Sequence, residues 1–312
     1  MALISLQITA ALLLDILLGD PRRLPHPVRL LGNLGAFLER FYRKTEINLG
    51  LAGVLTLAAM IGAGWFTTFL ILEVAAFVAP FLHILASIII FYTTFCIRDL
   101  LLHAREVLLA LEAGDLELAR QKTGMIVGRD TNSLSESEII RATVESVAES
   151  LVDGITAPLF YGFLAGPAGS MVYKAINTAD SMFGYKNEYF REFGWAAARL
   201  DDLVNFIPAR LTALFIPPAA FIVGLDHVHS WRIMLRDRKK HTSPNSGHTE
   251  AAAAGALNIQ LGGSSLYFGE LITKPALGEA WQELRPGHIR EMNRLMLTTA
   301  GLVFLIFFPL GL

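Results

Sequence analysis

Glu145, Glu149 and Asp153 recur at four-residue intervals in Arg141-Ala-Thr-Val-Glu-Ser-Val-Ala-Glu-Ser-Leu-Val-Asp-Gly154, with no basic residue between them. On a helix, positions four apart are offset by only about 40°, so the spacing predicts a carboxylate stripe along one face. Like charges placed this way repel by roughly a few tenths of a kcal/mol per pair. A divalent metal or a bound cationic group would relieve that repulsion, and a solvated helix face would tolerate it. The donor type suits Mg²⁺, which reaches protein through one or two carboxylates and keeps its remaining positions for water and substrate phosphates.

A second constellation lies in Tyr173-Lys-Ala-Ile-Asn-Thr-Ala-Asp-Ser-Met-Phe-Gly-Tyr-Lys-Asn-Glu188. Lys174, Asn177 and Asp180 follow at spacings of three and share a helical face, and Lys186 and Asn187 come just after. A lysine neutralises phosphate while an aspartate holds an ion, so this set suits a phosphate–metal site as well as it suits a polar surface. Arg199, Asp201, Asp202, Asn205 and Arg210 then enter an apolar run, where ionisable groups are expensive and point to function. Arg210 is expected to pair with Asp202 or an anionic ligand, a juxtamembrane anchor being the plainer reading. Ser243-Pro-Asn-Ser-Gly247 opens an alanine-rich segment carrying Glu250, and its start offers free backbone N–H groups, with Asn245, to an anion. The alanines themselves are explained by close approach of helices. His227 and His229 have no third ligand at zinc spacing. No phosphate-binding loop, dinucleotide fingerprint, serine-nucleophile elbow or kinase motif set is present.

The elements that must position these residues are those of a membrane protein. The chain has 312 residues, 53% hydrophobic and 17% charged, with a net charge of −2 that gives no argument for nucleic acid. Residues 47–72 and 74–97 carry no Asp, Glu, Lys or Arg, and each exceeds the roughly 20 residues that cross a bilayer. Residues 2–18 and 295–312 are shorter candidate spans. The first has no basic lead and no small-residue cleavage site, so it is expected to be retained. Residues 154–173 and 203–225 contain Pro158, Pro167, Pro208, Pro217 and Pro218, and are expected to be re-entrant or tilted, because broken backbone at membrane depth needs shielding. Pro21, Pro25 and Pro27 break the chain between the first two spans. Arg22, Arg23, Arg29, Arg40, Arg43 and Lys44 lie in the same region, which is expected to be cytoplasmic.

Residues 99–113 have amphipathic helical periodicity, closed by Gly114 and restarted by Asp115. Ser135 and Glu138 match a capping box opening a helix over about 136–152. Cys96 reads as a small buried hydrophobe. With no linker or repeat, residues 1–312 are read as a single all-α, membrane-embedded domain. It is expected to be a polytopic helical bundle with re-entrant or broken helices and cytoplasmic amphipathic helices.

Taken in order, the motifs LDILLGDPRRLPHPVRLLG, MIVGRDT, EIIRATVESVAES, DGITAPLFY, YKAINTADSMFGYKNE, FGWAAARLDDLVNFIPARLTA, SPNSGHTEAAAAGAL and QLGG resemble the membrane adenosylcobinamide-phosphate synthase family of cobalamin biosynthesis, the CbiB/CobD type. The resemblance covers essentially the full length, and departs where Ser150 and Ser246 stand in place of the family's Asn and Ala. It implies an ATP-dependent ligase joining adenosylcobyric acid to (R)-1-amino-2-propanol or its O-phosphate through an amide. The lipid bilayer and other late enzymes of the pathway would be partners, and a multi-pass inner-membrane location with cytoplasmic active-site loops would follow.

Under that reading Glu145, Glu149 and Asp153 hold Mg²⁺ or orient the amine, with Asp180 and Asp201 as further ligands. Lys174, Lys186, Arg129 and Arg199 face phosphate, and Phe160, Tyr161 and Phe163 wall the site against water. The alternatives are a Mg²⁺-dependent intramembrane transferase acting on a lipid diphosphate, and a non-enzymatic corrinoid transporter or scaffold subunit.

Overall fold

A computed structural model describes residues 2–20, 26–185, 187–267 and 269–311. Pro21, Arg22, Arg23, Pro25 and Lys186, singled out in the sequence, lie outside them. In chain order the helices are α1 (Ala2–Leu18), α2 (Pro27–Tyr42), α3 (Leu49–Val78), α4 (Pro80–Tyr92), α5 (Ile97–Glu112), α6 (Leu116–Thr123) and α7 (Glu136–Leu151). A π-helical turn at Val152–Thr156 leads into α8 (Ala157–Phe183), α9 (Trp195–Val204), α10 (Phe206–Val223), α11 (His227–Asp237) and α12 (Ser246–Leu257). Strands β1 (Gln260–Tyr267) and β2 (Glu270–Gly278) form an antiparallel hairpin, and α13 (Gly287–Phe307) closes the chain with a 3-10 turn at Phe308–Gly311.

Among the described residues, four helical stretches have the length and composition to cross a membrane: Leu49–Val78, Pro80–Glu112, Glu136–Phe183 and Phe206–Val223. The protein is an all-α polytopic membrane protein with a small sheet. The first hairpin between spans turns later than expected. Glu73 stays inside α3, and the break comes at Ala79, whose extended backbone precedes Pro80, because a residue before proline is pushed out of the α region. Residues 2–18 form a helix short of a full span. The expected span over 295–312 is the end of α13, which begins at Gly287 and carries Arg290, Glu291 and Arg294 in its first half. Pro217 and Pro218 sit inside a continuous α10, whereas α8 is broken at Ala165 and at Gly166, whose φ of 66° precedes Pro167.

The chain divides into two compact units of discontinuous segments. The first comprises residues 1–96, 153–205 and 306–312. Its core joins Leu31 of α2, Ala52, Leu57 and Met60 of α3, Ile90 of α4, Met171, Ala175 and Phe183 of α8, and Phe193. Small residues allow the backbones to approach: a Cβ at Gly53 would collide with the Phe193 carbonyl.

The second unit comprises residues 97–152 and 206–305. At its centre lies α12, buried along its whole length, which the run Ala251–Ala254 permits by letting α7, α10, α11 and the hairpin close on it. Helix α5 ends at Gly114, with φ of 72°, and Asp115 caps α6 by accepting the Leu118 N–H. Both halves of the capping box between Ser135 and Glu138 are formed at the start of α7.

Candidate functional site

In the first unit, the π-helical turn, α8 and α9 bring together residues from three of the sequence motifs. Asp153 lies in the π turn, a local widening often found at functional sites, so it leaves the α-helical register that α7 gives Glu145 and Glu149. Its Oδ1 accepts from Asn205 Nδ2 at 3.2 Å and from the Tyr173 hydroxyl at 3.4 Å. Asn205 Nδ2 also donates to Asp201 Oδ2 at 2.9 Å, and its Oδ1 accepts from Tyr173 at 2.9 Å. Asn177 donates to Asp201 Oδ1 at 3.5 Å.

Asp201 is buried, and burial first, then the nearby Asp180 carboxylate, push its pKa up to about 7 against the pull of Asn205 and Asn177. Gly184 leaves room here, since a Cβ would strike the Asp180 carboxylate. Tyr161 stacks on Tyr173 with centroids 5.4 Å apart and donates to the Val204 carbonyl, covering the cluster with an aromatic face. Phe160 and Phe163 instead pack on Phe307.

Lys174 projects into the same cluster, half-buried, with its Nζ 3.3 Å from the Asp153 carbonyl and 3.5 Å from Asn177 Oδ1. Both partners are neutral oxygens, and among the described residues no carboxylate lies within ion-pair distance of the ammonium. A cation with neutral partners beside an acidic pair could take an anion that arrives with its own metal. Not every expected residue joins the cluster. Asn187 spends its Oδ1 on the Phe190 N–H in a local turn, and Arg199 is exposed on α9.

The second unit holds a separate charged cluster. The carboxylate stripe of α7 seemed to lack a basic neighbour, but the loop before the helix supplies one. Arg129 forms an ion pair with Glu145, both side chains only 7% exposed, and also donates to Ser265 Oγ at 3.0 Å. The remaining Glu145 oxygen accepts the Gly262 N–H at 2.7 Å. Both its oxygens are thus engaged, which does not fit the metal role expected for it. Glu149 is more open, with Oε1 accepting from Ser246 Oγ at 3.0 Å.

Sequence reasoning gave Glu250 no role and overlooked His241 and Lys274. Glu250 is buried on α12, and burial, then Glu145 and Glu149, hold its carboxyl well above the usual range. His241 Nε2 faces it at 3.8 Å, with no hydrogen-bond partner among the described residues. Burial lowers the Lys274 ammonium, but the fields of Tyr267, Glu250, Glu149 and Glu145 more than offset it. The only available signal was that a glutamate, Glu250, stands alone in an alanine run.

Arg210, expected to pair with Asp202 or an anion, donates instead to Asn245 Oδ1 at 3.1 Å and to the Phe206 and Pro244 carbonyls, and stacks over the Phe206 ring. Asn245 is therefore occupied by an arginine. Nearby His248 is pushed down to about 4 by burial and by Arg210, Arg238 and Lys239. Its folded value lies below the unfolded value of about 6.5, so the unfolded chain binds the extra proton and stability is lost as pH falls from about 6.5 toward 4. The thermal midpoint is expected to fall between pH 7 and 4.5, and His248→Gln to flatten that fall in detergent-solubilised protein.

Among the described residues no three His, Cys, Asp or Glu side chains converge as a preformed metal cage. Asp180 and Asp201 still fit Mg²⁺, because it needs only one or two carboxylates when phosphates complete its shell, and because the two carboxylates lie close enough for Asp180, after burial, to raise the Asp201 value.

The family model described as CobD/Cbib protein matches residues 8–296. The chain belongs to this family. Proteins named Cobalamin biosynthesis protein CobD are among its relatives. One from Leptospira interrogans serogroup Icterohaemorrhagiae serovar copenhageni is 48% identical over 96% of this chain and 95% of its own. Another, from Listeria monocytogenes serotype 4b, is 44% identical over 98% of each chain, and one from Desulfotalea psychrophila is 44% identical over 97% and 96%. No solved structure matches the chain.

Proposed function

We propose that this CobD/Cbib protein acts in cobalamin biosynthesis as an ATP-dependent ligase, forming the amide between adenosylcobyric acid and (R)-1-amino-2-propanol or its O-phosphate at the inner membrane. The observation that carries the chemistry is Lys174, an ammonium bonded, among the described residues, only to neutral oxygens beside the Asp180 and Asp201 carboxylates. A carboxylate and an ammonium do not condense usefully in neutral water, so activation is required.

In this reading the substrate carboxylate attacks the terminal phosphorus of ATP, the bond to the bridging oxygen breaks, and ADP leaves with the electron pair. The free amine then attacks the resulting acyl phosphate, expels inorganic phosphate and loses a proton as the amide forms. Magnesium, when bound, would neutralise charge developing on the phosphoryl oxygens. Asp180 and Asp201 would hold it, Lys174 would clamp a phosphate oxygen, and Asn177 and Asn205 would fix the carboxylates. Tyr161 and Tyr173 would limit access of water to the reactive acyl phosphate. Cytoplasmic site loops, and neighbouring late-pathway enzymes as partners, follow from the soluble substrates.

The test is a mass-spectrometric assay of the full chain in detergent with adenosylcobyric acid, the amine or its phosphate, Mg²⁺ and ATP, each omitted in turn. The expected product is heavier than adenosylcobyric acid by the amine less one water, and forms only with ATP. Turnover of a lipid diphosphate without ATP, or no product from folded protein, would overturn the assignment.

A further inference from the structure

The motif Gln260-Leu-Gly-Gly263 and the arginine that opens the carboxylate-rich stretch, Arg141, take no part in the chemistry above. In the second unit they meet at a cavity of about 400 Å³, bordered by Arg141, Gln260, Gly262, Gly263, Gln282 and Glu283. Gly262 and Gly263 have φ values of 82° and 86°, a left-handed conformation that suits glycine. At Gly263 a Cβ would also sit 2.8 Å from Arg141 Nη1, so the missing side chain gives the guanidinium its place beside the strand.

Arg141 is not satisfied by the fold. Its Nη2 donates to the Ser264 carbonyl at 3.0 Å, while its Nε is buried and has no partner among the described residues. Among the described residues no carboxylate forms an ion pair with it. Arg129, by contrast, from the same unit, is neutralised by Glu145. A guanidinium stays charged and presents its N–H groups as a planar fork that matches two oxygens of one phosphate. Neutral amides from Gln260 and Gln282 and a single carboxylate from Glu283 complete the polar wall. The volume falls within the roughly 300–1,000 Å³ of small-molecule sites, and is too small to enclose a corrin macrocycle with its nucleoside.

We propose that this cavity is a phosphate-monoester subsite in which Arg141, seated by Gly263, receives the phosphate of a small phosphorylated amine while Glu283 faces its ammonium. The choice of an amine rests on the ligase reading; the recognition of a phosphate monoester rests on Arg141 and the cavity alone. The terminal phosphate of a nucleotide has the same chemistry, so the experiment compares the two sources.

Binding is measured by calorimetry on the full chain in detergent, without turnover, using O-phosphoethanolamine, ethanolamine and ATP as separate probes. Wild-type protein is expected to bind O-phosphoethanolamine and to discriminate against ethanolamine. Loss of a charge-assisted pair in Arg141→Gln should weaken phosphate binding by about ten- to a hundredfold, with Arg141→Lys in between. Weakening confined to ATP keeps the phosphate subsite and assigns it to the nucleotide. Equal affinities for both phosphates in wild type, Arg141→Gln and Arg141→Lys overturn it. Arg141→Lys retains a donor for Ser264, so it carries the test if the glutamine variant does not fold. Because no catalysis is read, failure of the amide reaction and failure of this subsite give different results.

Discussion

Replacing Lys174 with methionine is expected to lower kcat/KM by about 10²–10³-fold, the range seen when one preorganised donor to developing charge is removed, while the thermal midpoint changes little. The asymmetry follows from the bonding. In the resting protein the ammonium makes two long contacts, 3.3 Å to the Asp153 carbonyl and 3.5 Å to Asn177 Oδ1, whose length puts them at the weak end of the hydrogen-bond range, about 1 kcal/mol each. Methionine is close to the aliphatic stem of lysine in length, so the variant deletes charge with little loss of volume. With a phosphoryl group in place, the same ammonium would meet an anion in a site shielded by Tyr161 and Tyr173, where an electrostatic contact is worth much more than in water. Steady-state kinetics with ATP varied, together with thermal unfolding, separate the two effects. Unchanged kcat/KM in a folded variant would remove Lys174 from the chemistry and with it the observation on which the ligase assignment stands. A large fall in the thermal midpoint would instead mark it as a structural post.

The parts of the protein legible in the sequence were those set by local rules. Charge-free runs located the membrane helices around residues 49–92, since crossing hydrocarbon is a matter of length and composition. The capping box at Ser135 and the Gly114–Asp115 break placed the ends of α5, α6 and α7 because caps act within a few residues. Lys174, Asn177 and Asp201 converge, and Asp180 is close enough for its charge to act on Asp201.

What was not legible depends on non-local geometry. Asp153 leaves the stripe because the helix widens into a π turn, which no spacing of apolar residues announces. The hairpin β1–β2 was missed because its strand carries Gly262 and Gly263, which read as a breaker rather than as a strand with an irregular register between Leu261 and Gly263. Most telling is Arg129. The stripe prompted a search for a cation within the helix or from solution, whereas the counter-charge for Glu145 comes from a loop sixteen residues earlier and its second bond from a backbone N–H 117 residues later.

That arrangement sets the second large expectation: Arg129→Met should destabilise the folded protein by about 3–5 kcal/mol, the cost of stranding one partner of a buried ion pair. Arg129 and Glu145 are each 7% exposed at the side chain, so water cannot replace the lost guanidinium. Glu145 would keep the Gly262 N–H, one donor for a carboxylate that now has two. The Ser265 hydroxyl, at 3.0 Å from Arg129 Nη1, would lose its donor as well, loosening β1 from the helix. The charges nearest the pair give little relief, since Glu149 and Glu250 add negative potential, and the field of the nearby Lys274 ammonium is shared among Tyr267, Glu250, Glu149 and Glu145. Two further variants sort the cause. Glu145→Gln alone should also destabilise, by leaving the Arg129 charge buried. The double variant Arg129→Met, Glu145→Gln should recover part of the combined loss, because an amide needs no counter-charge and still accepts the Gly262 N–H. Unfolding midpoints of all four proteins in one detergent measure the coupling. If the two single losses simply add in the double variant, the pair is not energetically coupled and Arg129 returns to the pool of cations available for substrate phosphate. Strong coupling, with kcat/KM of the surviving double variant lowered less than tenfold, makes the ion pair the strut that fixes β1 on α7 and leaves phosphate recognition to Lys174.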